Sequence, residues 1–311
     1  MKILVLGGCG FIGSHLVERL VTKGHEVRVF DRLNASIDNI LSVMDQVDLR
    51  YGDFLDEWAI DEALEGCDVV FHLITTTFPG MTRKSGIYDV KSNLIPTIYL
   101  LESALRKNIK HIVYLSSGGT VYGNKTKMPI RETDGAEPVT LYGLSKLSIE
   151  NYIKFFSQMG DLKYTILRAA NVYGPRQNIH GIQGLIAVSL GNLLYKKPQE
   201  IWGSGEISRD YIYIHDLTEA LFLAIEYGGH NRLLNVGGGK AYSINEILKT
   251  IEKVTGRDIS VIKRSEKTQQ IICNVLCNEK ISKEFGWNPF TNIESGIKMT
   301  WEWVTQKYGS L

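Results

Sequence analysis

A glycine-rich segment and a later aspartate predict a dinucleotide site. Residues 7–13 read Gly-Gly-Cys-Gly-Phe-Ile-Gly and stand between a predicted strand, residues 2–7, and a predicted helix, residues 11–23. Glycines allow the sharp strand-to-helix turn and let the backbone approach a pyrophosphate at the positive end of the helix. Asp31 ends the second predicted strand, where a carboxylate can accept hydrogen bonds from both ribose hydroxyls. A 2′-phosphate would meet like charge there, so the sequence favours NAD over NADP.

A tyrosine and a lysine four residues apart are the second chemical signal. Tyr142 and Lys146 fall on one face of a predicted helix over residues 142–157. A nearby cation stabilises phenolate, so the tyrosine is expected to have a lowered pKa and to exchange a proton with a sugar hydroxyl while hydride passes to nicotinamide. The pair alone is a common surface pattern, and the glycine motif upstream makes the catalytic interpretation the stronger one.

The elements that must position these residues alternate between short β-branched runs and longer amphipathic stretches. This pattern predicts an α/β fold with a Rossmann-type, doubly wound parallel sheet. The predicted strands are residues 2–7, 26–30, 69–73, 111–116 and 164–168, with a further strand before residue 51. The predicted helices between them are residues 11–23, 57–65, 89–107 and 142–157.

After residue 175 the chain changes to glycine-interrupted segments, which predicts a smaller, mixed α/β substrate lobe. We expect an NAD-binding domain over residues 1–170 and a substrate-binding lobe over 171–311, with a segment near 211–236 packing back on the first domain and the ligand cleft between the two. The predicted helices here are residues 185–195, 217–227, 244–255 and 293–307. Ser243 with Glu246, and Thr291 with Glu294, have the spacing of a capping box.

Composition excludes several classes of protein. The 311 residues are 44% hydrophobic and 22% charged, with 35 basic against 34 acidic residues, so no polyanion-binding surface and no nucleic-acid partner is expected. The apolar start is too short for a signal segment or a membrane span, and we expect a cytoplasmic protein with no membrane partner. Four scattered cysteines and seven histidines form no metal motif, so no metal is expected.

At this point the chain resembles the extended short-chain dehydrogenase/reductase superfamily, and within it the nucleotide-sugar epimerase/dehydratase family typified by UDP-galactose and UDP-N-acetylglucosamine 4-epimerases. The resemblance spans nearly the whole sequence. It is carried by the glycine motif, Asp31, Asp53, Asn93, Ser116-Ser117, Val121-Tyr122-Gly123, Tyr142 with Lys146, and the segments 167–175, 209–216 and 285–289.

The resemblance implies a bound NAD that removes hydride from a sugar carbon and returns it to the other face. Tyr142 would be the acid/base, and Lys146 would hold the nicotinamide ribose. The implied cofactor-binding set is Gly7, Gly10, Phe11, Ile12, Gly13, Asp31, Asn34, Asp53, Phe54, Leu73, Thr75, Asn93, Ser116, Tyr142, Lys146 and Val172. The implied contacts to the nucleotide-sugar substrate are Thr77, Gly118, Asn171, Trp202, Arg209 and Val275. A homodimer through helices at 94–107 and 142–157 is also implied.

Several positions depart from the family pattern. Gly118 occupies the place of the usual catalytic serine or threonine, and Ser117 and Thr120 are the candidates to supply the missing hydroxyl. Gly119 and Thr120 stand where 4,6-dehydratases of the family carry an acidic pair. The second phosphate-binding arginine has no clean counterpart, with Arg264 and Lys267 nearest. Val275 replaces a bulky tyrosine, which would leave room for an N-acetyl group.

Four functions stay open on the sequence. The leading hypothesis is an NAD-dependent nucleotide-sugar 4-epimerase acting on a UDP-hexose or UDP-N-acetylhexosamine through a transient 4-keto intermediate. The nearest rival is an NAD(P)H-dependent reductase of a nucleotide 4-keto-6-deoxysugar, which would use the same tyrosine and lysine. A 4,6-dehydratase, or a non-catalytic NAD-binding sensor, is less favoured because the acidic pair is missing while Tyr142 and Lys146 are intact.

Overall fold

A computed structural model describes residues 1–79, 86–265 and 273–309, and the chain divides into two compact units. Unit 1 comprises 1–123, 134–168 and 218–234, and unit 2 comprises 124–133, 169–217 and 235–311. Of the segment near 211–236, residues 218–234 belong to unit 1 and the two ends belong to unit 2. The sequence pattern did not indicate that residues 124–133 belong to unit 2. Lys267 lies outside the described residues.

The strands alternate with helices through the first half of the chain, as the sequence pattern predicts. The described strands are β1 (Lys2–Leu6), β2 (Glu26–Asp31), β3 (Val47–Tyr51), β4 (Val69–His72), β5 (His111–Ser117), β6 (Lys163–Ala169), β7 (Asn171–Tyr173), β8 (Gln199–Trp202), β9 (Ser208–Tyr213), β10 (Arg232–Val236), β11 (Ala241–Ser243) and β12 (Val261–Arg264). The described α-helices are α1 (Phe11–Thr22), α2 (Glu57–Leu64), α3 (Gly86–Asp89), α4 (Ile95–Arg106), α5 (Gly118–Val121), α6 (Leu141–Phe156), α7 (Leu185–Leu194), α8 (Ile214–Glu226), α9 (Ile244–Thr255), α10 (Glu279–Phe285) and α11 (Ile293–Tyr308).

Seven strands form the central sheet in the order β10-β6-β5-β4-β1-β2-β3. The neighbours β3–β2, β2–β1, β1–β4 and β4–β5 pair in parallel. The order reverses direction between β1 and β4, which is the switch point at which ligands of doubly wound sheets bind, outside the carboxyl ends of the strands. The predicted Rossmann-type sheet is confirmed.

One predicted helix is wrong in its continuity. The stretch 89–107 is not a single α-helix: α3 ends at Asp89, a π-helical segment runs Val90–Leu94, and α4 begins at Ile95. Pro96 lacks the N–H that a regular helix would use to bond the carbonyl four residues earlier, so the regular ladder is interrupted there. The widened turn places Ser92 and Asn93 in the interior.

Helix α6 is fastened to the sheet by a buried ion pair. Glu150 accepts two bonds from Arg168, Nε to Oε1 at 3.0 Å and Nη2 to Oε2 at 2.6 Å, and a third from the Ser116 hydroxyl at 2.5 Å. Glu150 and Arg168 are both almost completely excluded from solvent. The pair is charge-compensated and hydrogen-bonded, as a buried pair must be. It fixes the rotation of α6 on β5 and β6.

Unit 2 contains a three-stranded sheet, β11-β9-β7, and a two-stranded sheet, β12-β8. Ser243 and Glu246 form the predicted capping box at the start of α9. The second predicted box is wrong: Asn292 caps α11, whereas the Thr291 hydroxyl donates to Asp216 at 2.7 Å. The Asp216 carboxylate is a stronger acceptor for the Thr291 hydroxyl than a backbone group, and the local residue spacing does not show that it lies nearby. Within the described ranges no helix is both long and apolar enough to cross a membrane.

Candidate active site

The glycine loop after β1 has the shape that a close-lying ligand requires. Gly7 has a φ of +82°, and Gly10 donates its N–H to the Gly7 carbonyl at 3.1 Å. A Cβ on Gly13 would lie 2.1 Å from the same carbonyl oxygen, so only glycine lets α1 pack on the loop. The first turn of α1 carries no acidic residue, and its unpaired N–H groups remain available to an anion. Phe11 and Ile12 are half-buried in that turn.

Asp31 ties the end of β2 to the glycine loop. Its Oδ2 accepts the Cys9 N–H at 3.0 Å, and its Oδ1 accepts the Arg32 N–H at 2.9 Å. The carboxylate is half-exposed and keeps acceptor capacity on both oxygens for ribose hydroxyls. Burial and the neighbouring Asp31 charge raise the pKa of the Cys9 thiol to about 12, so this cysteine stays protonated. The loop and the carboxylate together fit an NAD adenosine half.

Asn39 is a loop contact that the sequence did not reveal. Its Nδ2 donates to the Cys9 carbonyl at 3.2 Å, whereas Asn34, the predicted residue, is exposed. An asparagine in the stretch after β2 carries no spacing signal, and Asn34 stays a prediction.

The predicted adenine-side residues have different environments. Asp53 is exposed and its Oδ1 accepts the Leu55 N–H at 3.0 Å, while Phe54 is buried with its ring 5.2 Å from the His72 ring. His72 bonds Thr97 through Nε2 at 2.8 Å, and burial lowers its pKa to about 3. His72 is therefore a neutral core residue. Leu73 follows it, half-buried, and donates its N–H to the Leu6 carbonyl at 3.2 Å.

Tyr142 and Lys146 lie in the first turns of α6, as the sequence predicts. Thr140 caps this helix by accepting the Gly143 N–H at 3.0 Å. A Cβ on Gly143 would lie 2.7 Å from the Thr120 carbonyl oxygen, so glycine permits the close approach of α5 and α6. Lys146 Nζ donates to the Leu115 carbonyl at 3.0 Å and lies 5.7 Å from the centre of the Tyr142 ring.

The electrostatics of the pair differ from the expectation. Burial lowers the pKa of Lys146 to about 8, against the opposing charges of Asp89 and Glu150. Burial, reinforced by the Asp89 charge, raises the pKa of Tyr142 instead of lowering it. The expectation treated the lysine as the only charge near the phenol. Desolvation of the phenol and the charge of Asp89 both act in the opposite direction, toward the protonated form.

The Tyr142 phenol and the Lys146 ammonium share a pocket with several predicted residues. Its lining is Ile74, Thr75, Thr77, Asp89, Asn93, Tyr142, Ser145, Lys146 and Ile149. Thr75 is exposed and its hydroxyl donates to the Thr77 carbonyl at 3.1 Å; Asn93 is buried and its Oδ1 accepts the Thr76 N–H at 2.9 Å. Asp89 and Ser145 were missed. Neither has a spacing signal of its own in the sequence, because the fold brings each of them to the pocket.

The residues after β5 divide into buried and available groups. Ser116 is buried, its hydroxyl donates to Glu150, and it is not among the residues that line the pocket. Gly118 and Thr120 are also buried, and the Thr120 hydroxyl donates to the Ser117 carbonyl at 3.5 Å. Ser117 is half-buried, and its hydroxyl does not cap α5.

Unit 2 brings two of the predicted substrate residues onto adjacent strands. Asn171 on β7 donates from Nδ2 to the Asp210 carbonyl at 2.9 Å, beside Arg209 on β9. Arg209 Nη1 donates to the Ser208 carbonyl at 2.9 Å, and burial lowers the pKa of this arginine. Among the described residues it makes no ion pair, which leaves its charge for an anion. Val275 is half-buried and its carbonyl accepts the Ile130 N–H at 2.7 Å.

The remaining predicted residues of unit 2 are Trp202, Val172, the neighbour of Asn171 on β7, and Arg264. Trp202 stands at the end of β8, in the separate two-stranded sheet, and is 38% exposed. Val172 is half-buried on β7, and its carbonyl accepts Gln177 Nε2 at 3.2 Å. Arg264 pairs with Glu200 at 2.6 Å on the surface, so it is already neutralised and is a poor second phosphate ligand.

Comparison with known proteins points to one family. The family described as NAD dependent epimerase/dehydratase matches residues 3–237. The UDP-glucose 4-epimerase of Mycolicibacterium smegmatis is 30% identical over 313 residues, which are 99% of each chain. The dTDP-4-dehydro-6-deoxyglucose reductase of Escherichia coli is 31% identical over 301 residues, 95% of each chain. The structure of the Thermotoga maritima UDP-glucose 4-epimerase with UDP-glucose superposes with a TM-score of 0.93 at 33% identity, covering 99% of each chain.

Replacing Gly13 by alanine tests the dinucleotide loop. The added Cβ would lie 2.1 Å from the Gly7 oxygen and must push the loop and α1 apart. Such overpacking costs about 1–3 kcal/mol. We expect the affinity for NAD, measured by titration calorimetry, to fall at least about tenfold.

Gly86→Ala is the matched control, because its Cβ would meet only Leu141 side-chain atoms at 3.5 Å or more, an ordinary contact. It should keep the wild-type affinity. Wild-type NAD affinity in the Gly13 variant would show that the cofactor does not depend on this close approach.

Proposed function

The chain belongs to the NAD-dependent epimerase/dehydratase family, and we propose that it is an NAD-dependent nucleotide-sugar 4-epimerase acting on a UDP-hexose or a UDP-N-acetylhexosamine. The observation that carries the proposal is the half-buried Tyr142 with the buried Lys146 on α6, together with Gly119 and Thr120 at the positions where the family's dehydratases have acids. A glycine and a threonine do not provide the acid–base pair with which the dehydratases eliminate water. The relatives named as UDP-glucose 4-epimerases support the same choice.

The residues of the pocket have distinct roles in this reaction. When bound, NAD accepts a hydride from the sugar carbon and returns it. Tyr142 Oη takes the proton of the sugar hydroxyl and gives it back. To accept that proton the phenol must first be deprotonated, and because burial raises its pKa, it needs a positive charge nearby. Lys146 supplies part of that charge and donates hydrogen bonds to ribose oxygens. Asp31 and the glycine loop orient the adenosine end.

The missing hydroxyl at residue 118 has two candidate replacements close by. The Thr120 hydroxyl is already directed at the Ser117 carbonyl. Ser117 is half-buried with a hydroxyl that is not used as a helix cap, so it is the better placed to polarise the sugar oxygen. We assign the role to Ser117, with Thr120 as the supporting residue.

Arg209 and Asn171 are the proposed ligands of the nucleotide diphosphate. A guanidinium can bond two phosphate oxygens at once, and Arg209 is half-buried without an ion pair among the described residues. Val275 leaves space next to the sugar, which is compatible with an N-acetyl substituent. Which sugar is bound depends on a few such contacts.

A 4-keto-6-deoxysugar reductase is the second candidate, favoured by the similarity to the E. coli dTDP-4-dehydro-6-deoxyglucose reductase. It would use Tyr142 and Lys146 in the same way but would consume a dissociating reduced cofactor. Oxidation of added NADH, followed at 340 nm with a 4-keto-6-deoxysugar nucleotide, separates the two functions.

A homodimer through α4 and α6 is also part of the proposal. Leu144, Tyr152 and Phe155 expose 51%, 38% and 57% of their surfaces on α6, and Ile95 exposes 54% at the start of α4. Apolar side chains at helical spacing are typical of such an interface. Light scattering at micromolar concentration should give about twice the 35.0 kDa chain mass. A species of the single-chain mass would reject the dimer.

Replacing Tyr142 by phenylalanine tests the acid/base directly. Conversion of UDP-galactose to UDP-glucose, measured by chromatography, should fall by about 10²- to 10⁴-fold, the usual worth of a positioned proton-transfer group. NAD affinity should change little, because the phenol is only one of many cofactor contacts.

Tyr152→Phe is the matched control on the same helix, since that phenol is partly exposed and lies outside the pocket lining. It should turn over at the wild-type rate. Full activity in the Tyr142 variant would reject the assigned chemistry.

A further inference from the structure

Asp89 is a buried acid in the same pocket as Tyr142 and Lys146. It ends α3, and only 1% of its surface is exposed. Its Oδ1 accepts the Thr77 hydroxyl at 2.7 Å and the Asn93 amide at 2.6 Å, and its Oδ2 accepts the Ser145 hydroxyl. A carboxylate removed from water is costly unless its oxygens are hydrogen-bonded. Here three side chains from three segments donate hydrogen bonds to the Asp89 carboxylate.

These three donors connect Asp89 to the parts of the site that must keep their places. Ser145 immediately precedes Lys146 on α6, so its bond to Asp89 fixes the helix turn that carries the lysine. Asn93 also accepts the Thr76 N–H and thereby orders the loop after β4. Asn93 follows Asp89 by four residues, so the two side chains lie on the same side of the helical segment.

The charges around Lys146 indicate that the Asp89 carboxylate also has an electrostatic role. On α6 itself Glu150 faces the lysine, but that acid is already paired with Arg168. On β4 and β5 the neighbours are His72 and Tyr114, both buried and both held neutral by burial. Asp89, on α3, opposes the desolvation of the ammonium group and reinforces the neutral form of Tyr142.

We propose that Asp89 is the positioning and charge-compensating residue of the Tyr142–Lys146 pair: through Ser145 it fixes the helix turn, and through its charge it keeps the Lys146 ammonium protonated. The first role is mechanical and the second electrostatic. The assignment extends the proposed 4-epimerase function, but its direct test needs no substrate.

Asp89→Asn is a variant that the local geometry can accept. Among the described residues Oδ2 accepts from Ser145 alone, and a hydroxyl can accept as well as donate. An asparagine with its amide turned toward Ser145 would keep the bonds from Thr77 and Asn93 to Oδ1. The substitution therefore removes the charge and preserves the network.

The direct measurement is the titration of Lys146 by NMR, with ¹³C-labelled lysine and the signal assigned by its loss in Lys146→Met. The wild-type midpoint is expected near pH 8. A lysine that loses an anionic neighbour deprotonates more easily, so the midpoint in Asp89→Asn should fall by about one pH unit. An unchanged midpoint would overturn the electrostatic role.

Two further variants separate the roles and guard against a variant that does not fold. Ser145→Ala removes the tether and keeps the charge, so its midpoint should equal that of the wild type while kcat falls a few-fold. Asp89→Glu keeps the charge, so its midpoint should stay near pH 8. A lowered midpoint in both of these variants would mean that misplacement of the helix, and not charge, controls the lysine.

Activity gives the second readout. Because the ammonium is needed in its charged form, the high-pH limb of kcat should move down with the lysine midpoint in Asp89→Asn and stay in place in Ser145→Ala. A limb that does not move in Asp89→Asn would contradict the proposal. If the wild-type protein does not epimerise UDP-sugars, the 4-epimerase assignment fails, and the lysine titration still decides the role of Asp89.

Discussion

The burial of one lysine is the constraint on which the site depends. Lys146 is 93% removed from solvent (7% exposed), and an ammonium group in that position must recover its lost hydration from the protein. The Leu115 carbonyl accepts one of its protons, the Tyr114 ring lies 4.8 Å from its nitrogen, and two acids lie within its field. The flanking elements α3, α6 and β5 are held where they can provide these groups.

The two acids near Lys146 are stabilised in different ways. Glu150 belongs to a fully buried ion pair with Arg168, which fixes α6 on the sheet. Asp89 is held by neutral donors from Thr77, Asn93 and Ser145, so its charge is not cancelled by its hydrogen bonds. Glu150 therefore mainly stabilises the packing of α6, whereas Asp89 mainly affects the charges in the pocket. A lysine with a pKa near neutrality is typical of functional sites.

The sheet, the glycine loop, Asp31 and the tyrosine–lysine pair could be predicted from the sequence because each has a local signal. Hydrophobic periodicity, glycine spacing and two residues four apart on a helix are each recognisable in a short stretch of sequence. Asp89, Asn39 and the π-helical turn could not, because each depends on what the fold brings close. The hydrogen bond of Thr291 could not be predicted for the same reason, because its partner Asp216 is distant in the chain. The raised pKa of Tyr142 results from burial, which residue spacing does not show.

The most direct test of the account is the nucleotide content of the protein purified without added cofactor. An epimerase returns the hydride that it removes, so its cofactor is recycled in place and can remain bound. We predict that denaturation releases close to one NAD per chain, measured by chromatography. Little or no released nucleotide would contradict a recycled cofactor and would favour a reductase that exchanges its cofactor at each turnover.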